Sequence, residues 1–134
     1  MCVFCEIVKG NIPSKKIYED DNTIAILDLS QATYGHTLII PKKHSSNLLE
    51  IDDESYVNAM KVAKKVAGAI KKSFDNVLGF NLLNNCGEVA GQTVNHFHIH
   101  IIPRYKNDGI KIEFVDNQGK FDMEEIKNKI IKNI

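Results

Sequence analysis

The feature that most constrains this chain is NHFHIHIIPRY, residues 95–105, in which His96, His98 and His100 alternate with Phe97, Ile99 and Ile101. Side chains of a β-strand point alternately to its two faces. A period of two therefore predicts a strand over 95–102, with the histidines on one face and the apolar residues against a core on the other. Such a strand needs a sheet to lie in. KKIYED (15–20) and NTIAILDL (22–29) read as two strands meeting at an Asp-Asp-Asn turn. HTLIIP (36–41) reads as a third and LGFNLLN (78–84) as a fourth, with NCGEVAGQTV in the loop before the histidines. Between the third and fourth strands, Tyr56, Ala59, Met60, Ala63, Val66, Ala67, Ile70 and Phe74 recur at three-four spacing, predicting a long helix over 53–74 capped by Asp52 or Asp53. Short helices are expected over 2–9 and after Asp122, the latter with Ile126, Ile130 and Ile134 on one side. Strands on both sides of one long helix, joined by short links, indicate an α+β fold with a mainly antiparallel sheet. A length of 134 residues suits one domain, 1–134.

Charge and apolar runs narrow the function. Lysine and arginine balance aspartate and glutamate at a formal net charge of zero, so bulk attraction to nucleic acid or an anionic membrane is not expected. No apolar run reaches the roughly 18 residues of a membrane span, and the N-terminus lacks the pattern of a secretory signal, which places the expected location in the cytoplasm. Three cysteines are too few for a disulfide framework and read as thiols or metal ligands.

The histidine spacing limits what a metal can do. On a regular strand, same-face neighbours are about 6.6 Å apart and the outer pair about 13 Å. Zinc–nitrogen bonds are about 2.1 Å, so three successive histidines cannot easily share one ion. One end of the row can join ligands from elsewhere. MCVFCEI supplies Cys2 and Cys5 as a C-x-x-C pair, and PKKH supplies His44. Those three with one histidine of the row make a Cys₂His₂ set, which fills all four places and so marks a structural site. The competing reading is two small buried thiols. The remaining histidines are left for chemistry near neutral pH, as nucleophile or acid–base groups. Upstream of them, Gly87 and Gly91 allow close backbone approach, while Asn85, Gln92 and Thr93 offer neutral donors, a plausible phosphate cradle or simply a glycine-containing link.

His96-Phe97-His98-Ile99-His100-Ile101-Ile102 fits the His-φ-His-φ-His-φ-φ signature of the histidine triad (HIT) nucleotide hydrolases. GHTLIIPKKH (35–44) and AGQTVNHFHIHIIPR (90–104) also resemble this family, in its Hint-like branch. The resemblance covers roughly residues 2–105, leaving 106–134 as a variable tail. It implies a five-stranded antiparallel sheet with one long helix and short terminal helices, and a homodimer whose sheets join. It implies hydrolysis at the α-phosphorus of purine nucleoside phosphoramidates or related nucleotidyl substrates, releasing AMP or GMP. Carried over by motif position, His98 is the nucleophile, the His96 carbonyl orients its ring, and His100 donates to phosphate oxygens. Asn85, Gly91, Gln92 and Thr93 match the phosphate-contacting positions, Asp28 the ribose contact, and Phe4, Ile7, Ile26, Leu29 and Leu38 the apolar base pocket. Members with C-x-x-C here resemble zinc binders with Cys2, Cys5, His44 and His96 as ligands. Leu29 and Leu38 also read as ordinary core, and His36 has no assigned role beyond packing or support. Cys86 is a spare thiol in the loop, and Asn95 stands where an apolar or aromatic residue is usual. A third histidine, where the transferase branch has glutamine, favours hydrolysis. The alternatives are a dinucleoside polyphosphate hydrolase and a nucleotide-binding regulator.

Overall fold

The computed structural model describes all 134 residues. In chain order the elements are α1 (Val3–Val8), β1 (Lys16–Glu19), β2 (Thr23–Leu27), β3 (Thr37–Pro41), α2 (Asp53–Ser73), β4 (Gly79–Leu83), β5 (Ile99–Arg104) and α3 (Met123–Ile131). The five strands form one sheet in the order β1-β2-β3-β5-β4, and every neighbouring pair is antiparallel.

Local chemistry accounts for the turns and ends. The Asp20 carboxylate accepts the backbone N–H groups of Asn22 and Thr23, at 2.8 and 2.9 Å, and so closes the β1–β2 turn. Asp52 caps α2 by accepting the Ser55 N–H, with Asp53 and Glu54 in the first turn and Lys71 and Lys72 in the last, matching the helix dipole. The buried stripe of α2 is Ala59, Val62, Ala63, Val66 and Ile70. Val62 therefore takes the core place that the three-four spacing assigns to Met60, which is exposed together with Tyr56. Ala59, Ala63, Val66 and Ile70 are common to the expected and the observed stripe.

The sheet has apolar residues on both faces. On one, Ala25, Ile39, Phe97, Ile99 and Ile101 pack with the α2 stripe. On the other, Ile24, Ile26, Leu38 and Ile40 pack with Phe4 of α1. This is why all five residues of β3 are buried. The last strand begins later than its sequence pattern suggests, at Ile99 rather than residue 95. The alternation of faces persists through 96–98, but the ladder does not. The Phe97 N–H donates to the Ser45 carbonyl at 2.7 Å, and the Asn84 side-chain amide donates to the His98 carbonyl at 2.9 Å. Those contacts satisfy the backbone where strand pairing has stopped. Asp122 caps α3 as its sequence implies, and residues 111–134 are exposed throughout.

Candidate functional site

The α1 face of the sheet carries the histidines, and the entry into β5 sets their directions. His98 is buried, and its Nδ1 lies 2.7 Å from the His96 carbonyl oxygen. A carbonyl only accepts, so Nδ1 carries the proton and Nε2 holds the free lone pair. His96 has the opposite arrangement. Its Nε2 lies 2.7 Å from the Pro41 carbonyl oxygen, so the proton is there and Nδ1 is bare. Two histidines two residues apart are thus held in opposite tautomers by two backbone carbonyls. Phe4 stands edge-on to both rings, with centroids 5.9 Å from His96 and 5.0 Å from His98.

The bare Nδ1 of His96 points into a cluster of sulfur and nitrogen. It lies 3.4 Å from Cys2 Sγ, 3.6 Å from Cys5 Sγ and 3.2 Å from His44 Nδ1, and Cys5 Sγ is 3.4 Å from His44 Nδ1. All four atoms lie within 4.8 Å of one another. A tetrahedral ion with bonds of about 2.1 Å to nitrogen and 2.3 Å to sulfur would separate its ligands by about 3.4 Å (N–N) and 3.6 Å (N–S). The set has the dimensions that ion requires. Local folding produces it: Cys2 is the N-cap of α1 and accepts the Cys5 N–H at 3.4 Å, which turns both thiols to the same side. Burial and the neighbouring Cys2 push the Cys5 thiol up, and a cation between them would reverse that effect.

On the other side of His98 lies a second cluster. His100, in β5, has its ring centroid 5.0 Å from that of His98 and 5.1 Å from that of His36. The Ala32 N–H donates to His36 Nδ1 at 3.1 Å, so the His36 proton is on Nε2. Nε2 faces His100 Nδ1 at 2.9 Å and donates to it. His100 in turn carries its proton on Nε2, available to a ligand. An Asp28 carboxylate oxygen lies 3.6 Å from His36 Nε2. Burial holds the pKa values of His36 and His98 below the usual imidazole range, and Asp28 opposes the shift in both. Burial, with His98 and His36 beside it, pushes His100 down to about 4. All three rings are therefore neutral at pH 7.

The remaining sequence-derived residues divide. Phe4, Ile26 and Leu38 share one apolar cluster, and Ile7 packs against it. Leu29 stands apart at 96% exposure, because the chain turns after β2 with the Ser30 N–H bonded to Asp28 Oδ1. It is neither core nor part of that cluster. In the loop, Gly87 and Gly91 have φ of +92° and +93° on either side of a 3₁₀ turn, Glu88–Ala90. Asn85 donates to the Gly91 carbonyl at 3.2 Å. Gln92 differs from its expected use as a phosphate donor. It is buried, its Nε2 donates to the Ser46 and Val94 carbonyls at 2.7 and 3.0 Å, and its Oε1 accepts the Gly87 N–H at 2.9 Å. Both amide protons are engaged in holding the loop. Thr93 is exposed, in a cleft with Met1, Cys2, His44 and Asn95. One residue gains a role that sequence reasoning did not give it, Asn84, and the supporting part read for His36 becomes specific. His36 orients His100, and Asn84 anchors the His98 carbonyl. The position of His36 immediately before β3, beside the strand that pairs with β5, is the signal that could have revealed the first.

Fold and site define the class: an antiparallel α+β protein with a Cys₂His₂ ligand set on one side of a neutral, carbonyl-held histidine and a histidine pair on the other. A HIT domain model matches residues 9–107, and the chain belongs to the HIT family. It is 44% identical over 131 residues to an uncharacterized HIT-like protein of Methanocaldococcus jannaschii, covering 97% of this chain and 98% of that protein. It is 39% identical over 122 residues to the adenosine 5'-monophosphoramidase HNT1 of Saccharomyces cerevisiae, covering 90% and 74%. The crystal structure of a HIT family member from Bacillus subtilis matches at a TM-score of 0.92 and 44% identity, covering 99% of this chain and 96% of that one. A zinc-bound histidine triad family protein of Mycobacterium smegmatis matches at 0.78 and 38%, covering 89% and 86%.

Proposed function

We propose that the protein hydrolyses nucleoside 5'-phosphoramidates, or closely related nucleotidyl substrates, through a covalent intermediate on His98. The observation that carries this reading is the 2.7 Å contact from His98 Nδ1 to the His96 carbonyl, which leaves Nε2 as a neutral, oriented nucleophile. Nε2 attacks the α-phosphorus, an N–P bond forms, and the bond from phosphorus to the leaving nitrogen breaks. Solvent water protonates that nitrogen, so the group departs as a neutral amine, while the His100 Nε2–H donates a hydrogen bond to a phosphate oxygen. The hydroxide left by that protonation, or water, then attacks the same phosphorus, the N–P bond to His98 breaks with its electron pair returning to Nε2, and the nucleoside monophosphate is released. Asp28 receives the ribose hydroxyls, Phe4, Ile7, Ile26 and Leu38 form the apolar bed for the base, and Asn85, Thr93 and the Gly91 backbone face the phosphate. The Gln92 side chain is left out of that contact. The adenosine 5'-monophosphoramidase name of the yeast relative supports the substrate class.

Cys2, Cys5, His44 and His96 are proposed to hold zinc. A zinc ion there would fix the start of the chain against the entry to β5, a structural part rather than a chemical one, since the protein fills every ligand place. We also propose a homodimer joined through β4, which is an edge strand without charged residues and with Leu82 and Leu83 exposed.

The test is a steady-state assay on AMP and GMP phosphoramidates and on dinucleoside polyphosphates, with His98→Ala as control. Phosphoramidate turnover that vanishes in the variant is expected. Preference for the dinucleotides would favour the alternative hydrolase, and binding without turnover would favour a nucleotide-binding regulator.

A further inference from the structure

The loop from Asp28 to His36 links the ribose contact to the histidine that orients His100, and one side chain runs through its centre. Gln31 Nε2 donates to the carbonyl oxygens of both Asp28 and His36, each at 2.7 Å, and its Oε1 accepts the Gly35 N–H at 2.9 Å. Every hydrogen-bonding atom of the side chain is therefore used inside the loop. The backbone of Gln31 has a φ of +36°, in the left-handed region that a non-glycine residue seldom occupies. Glycine would adopt that turn without strain, so the side chain is the reason for a glutamine there. Strained positions of this kind are maintained where the surrounding contacts over-determine them, often at functional sites. Gln92 uses the same device in the other loop of the site, two carbonyls on its amide and one N–H on its oxygen.

We propose that Gln31 is a positioning residue for the His36–His100 pair. Its three hydrogen bonds fix the loop so that the next residue, Ala32, presents its N–H to His36 Nδ1 at 3.1 Å. That contact puts the His36 proton on Nε2, where it is given to His100 Nδ1 at 2.9 Å. His100 is left with its own proton on Nε2, the form that can donate a hydrogen bond to a phosphate oxygen. Gln31 touches no substrate in this scheme; it acts through Ala32 and His36. The inference deepens the phosphoramidate hydrolase reading, and its first readout needs no substrate.

Two variants separate the parts. Gln31→Met keeps the stem and removes all three hydrogen bonds, whereas Gln31→Gly removes them and also relieves the strained φ. Nitrogen-15 NMR of the histidine rings at neutral pH reads the tautomers directly. In the wild type, His36 and His100 are expected as Nε2–H and His98 as Nδ1–H, with the His36 ring proton protected from exchange. In both variants the His36 proton should lose protection and His100 should become a mixture of tautomers, while His98 stays unchanged. On an AMP phosphoramidate, kcat should fall roughly tenfold with KM within about twofold, the pattern of a misplaced hydrogen-bond donor. Unchanged His36 and His100 signals in both variants would overturn the proposal. So would equal disturbance of His98, because Gln31 would then be a general stabiliser of the fold. A wild-type protein without turnover would count against the hydrolase reading alone, and the NMR comparison would still decide the role of Gln31.

Discussion

Cys2, Cys5, His44 and His96 form one compact set, and Asp28, His36 and His100 form another; in each, the ligand atoms lie within 4.8 Å of one another. They flank His98 on the same sheet face, and either could be taken for a metal site on distance alone. The positions of the protons distinguish them. His96 gives its proton away to Pro41, so a bare nitrogen faces two thiols and a second imidazole across gaps the size of a tetrahedral ion's edges. His36 has the reverse arrangement. Its outer nitrogen accepts from Ala32, its proton faces His100, and the 2.9 Å gap is closed by a hydrogen bond that leaves no space for an ion. Backbone groups, a carbonyl in one case and an N–H in the other, thus decide whether a histidine cluster is suited to a cation or to presenting an oriented N–H donor.

Each side of this comparison can be broken separately. The largest expected effect is at the proton side. His100→Ala should lower kcat on an AMP phosphoramidate by about 10²–10³-fold, the range for losing an oriented hydrogen-bond donor to the charge that develops on the phosphoryl group, with the melting temperature close to wild type. The cation side should respond in the opposite way. Cys2→Ser or Cys5→Ser should remove bound zinc, measured by elemental analysis, and destabilise the protein by about 3 kcal/mol, lowering the melting temperature by roughly 10 °C, with a smaller loss in rate. Equal losses of rate and stability would point to an ion taking part in the chemistry.

Acid should act on the proton side as well as on the zinc ligands, whose protonation releases the ion. The folded-state pKa of His100 is about 4, below the ordinary imidazole value, so the unfolded chain binds this proton first as pH falls. Stability is therefore full above about pH 6.5, declines through the interval down to about 4, and from this group levels off below it. The loss amounts to about 2 kcal/mol after allowance for partial solvent access. Denaturant titrations at pH 7.5 and 4.5 on wild type and His100→Asn would measure it as the part of the pH difference that the variant loses. The smallest expected effect is His36→Asn. It removes the donor to His100 while leaving His100 itself, and should reduce kcat roughly tenfold without zinc loss.

Much of this was legible in the sequence. The alternation of His96–Ile101 with apolar residues, the stripe of α2 and the turn and cap aspartates Asp20, Asp52 and Asp122 are local patterns, and they place the sheet, the long helix and the last helix. The grouping of Cys2, Cys5 and His44 with one histidine of the row was also readable, since spacing alone shows the three histidines cannot share an ion. Three things were not. The start of β5 depends on a side chain, Asn84, replacing a ladder bond, which no propensity reports. The exposure of Leu29 depends on a turn made by Asp28 and Ser30 just after a hydrophobic run. The role of His36 depends on a contact with a residue 64 positions later, and those of Gln31 and Gln92 on loop carbonyls that exist only once the loops are closed.

The covalent route is tested most directly by the mass of the protein during turnover. Quenching the reaction of an AMP phosphoramidate with denaturant at alkaline pH within the first turnovers, where an N–P bond to imidazole survives, then digesting and sequencing by mass spectrometry under non-acidic conditions, should find the mass of AMP less water on the peptide carrying His98, and on that side chain. Product that accumulates while His98 is never modified would contradict it.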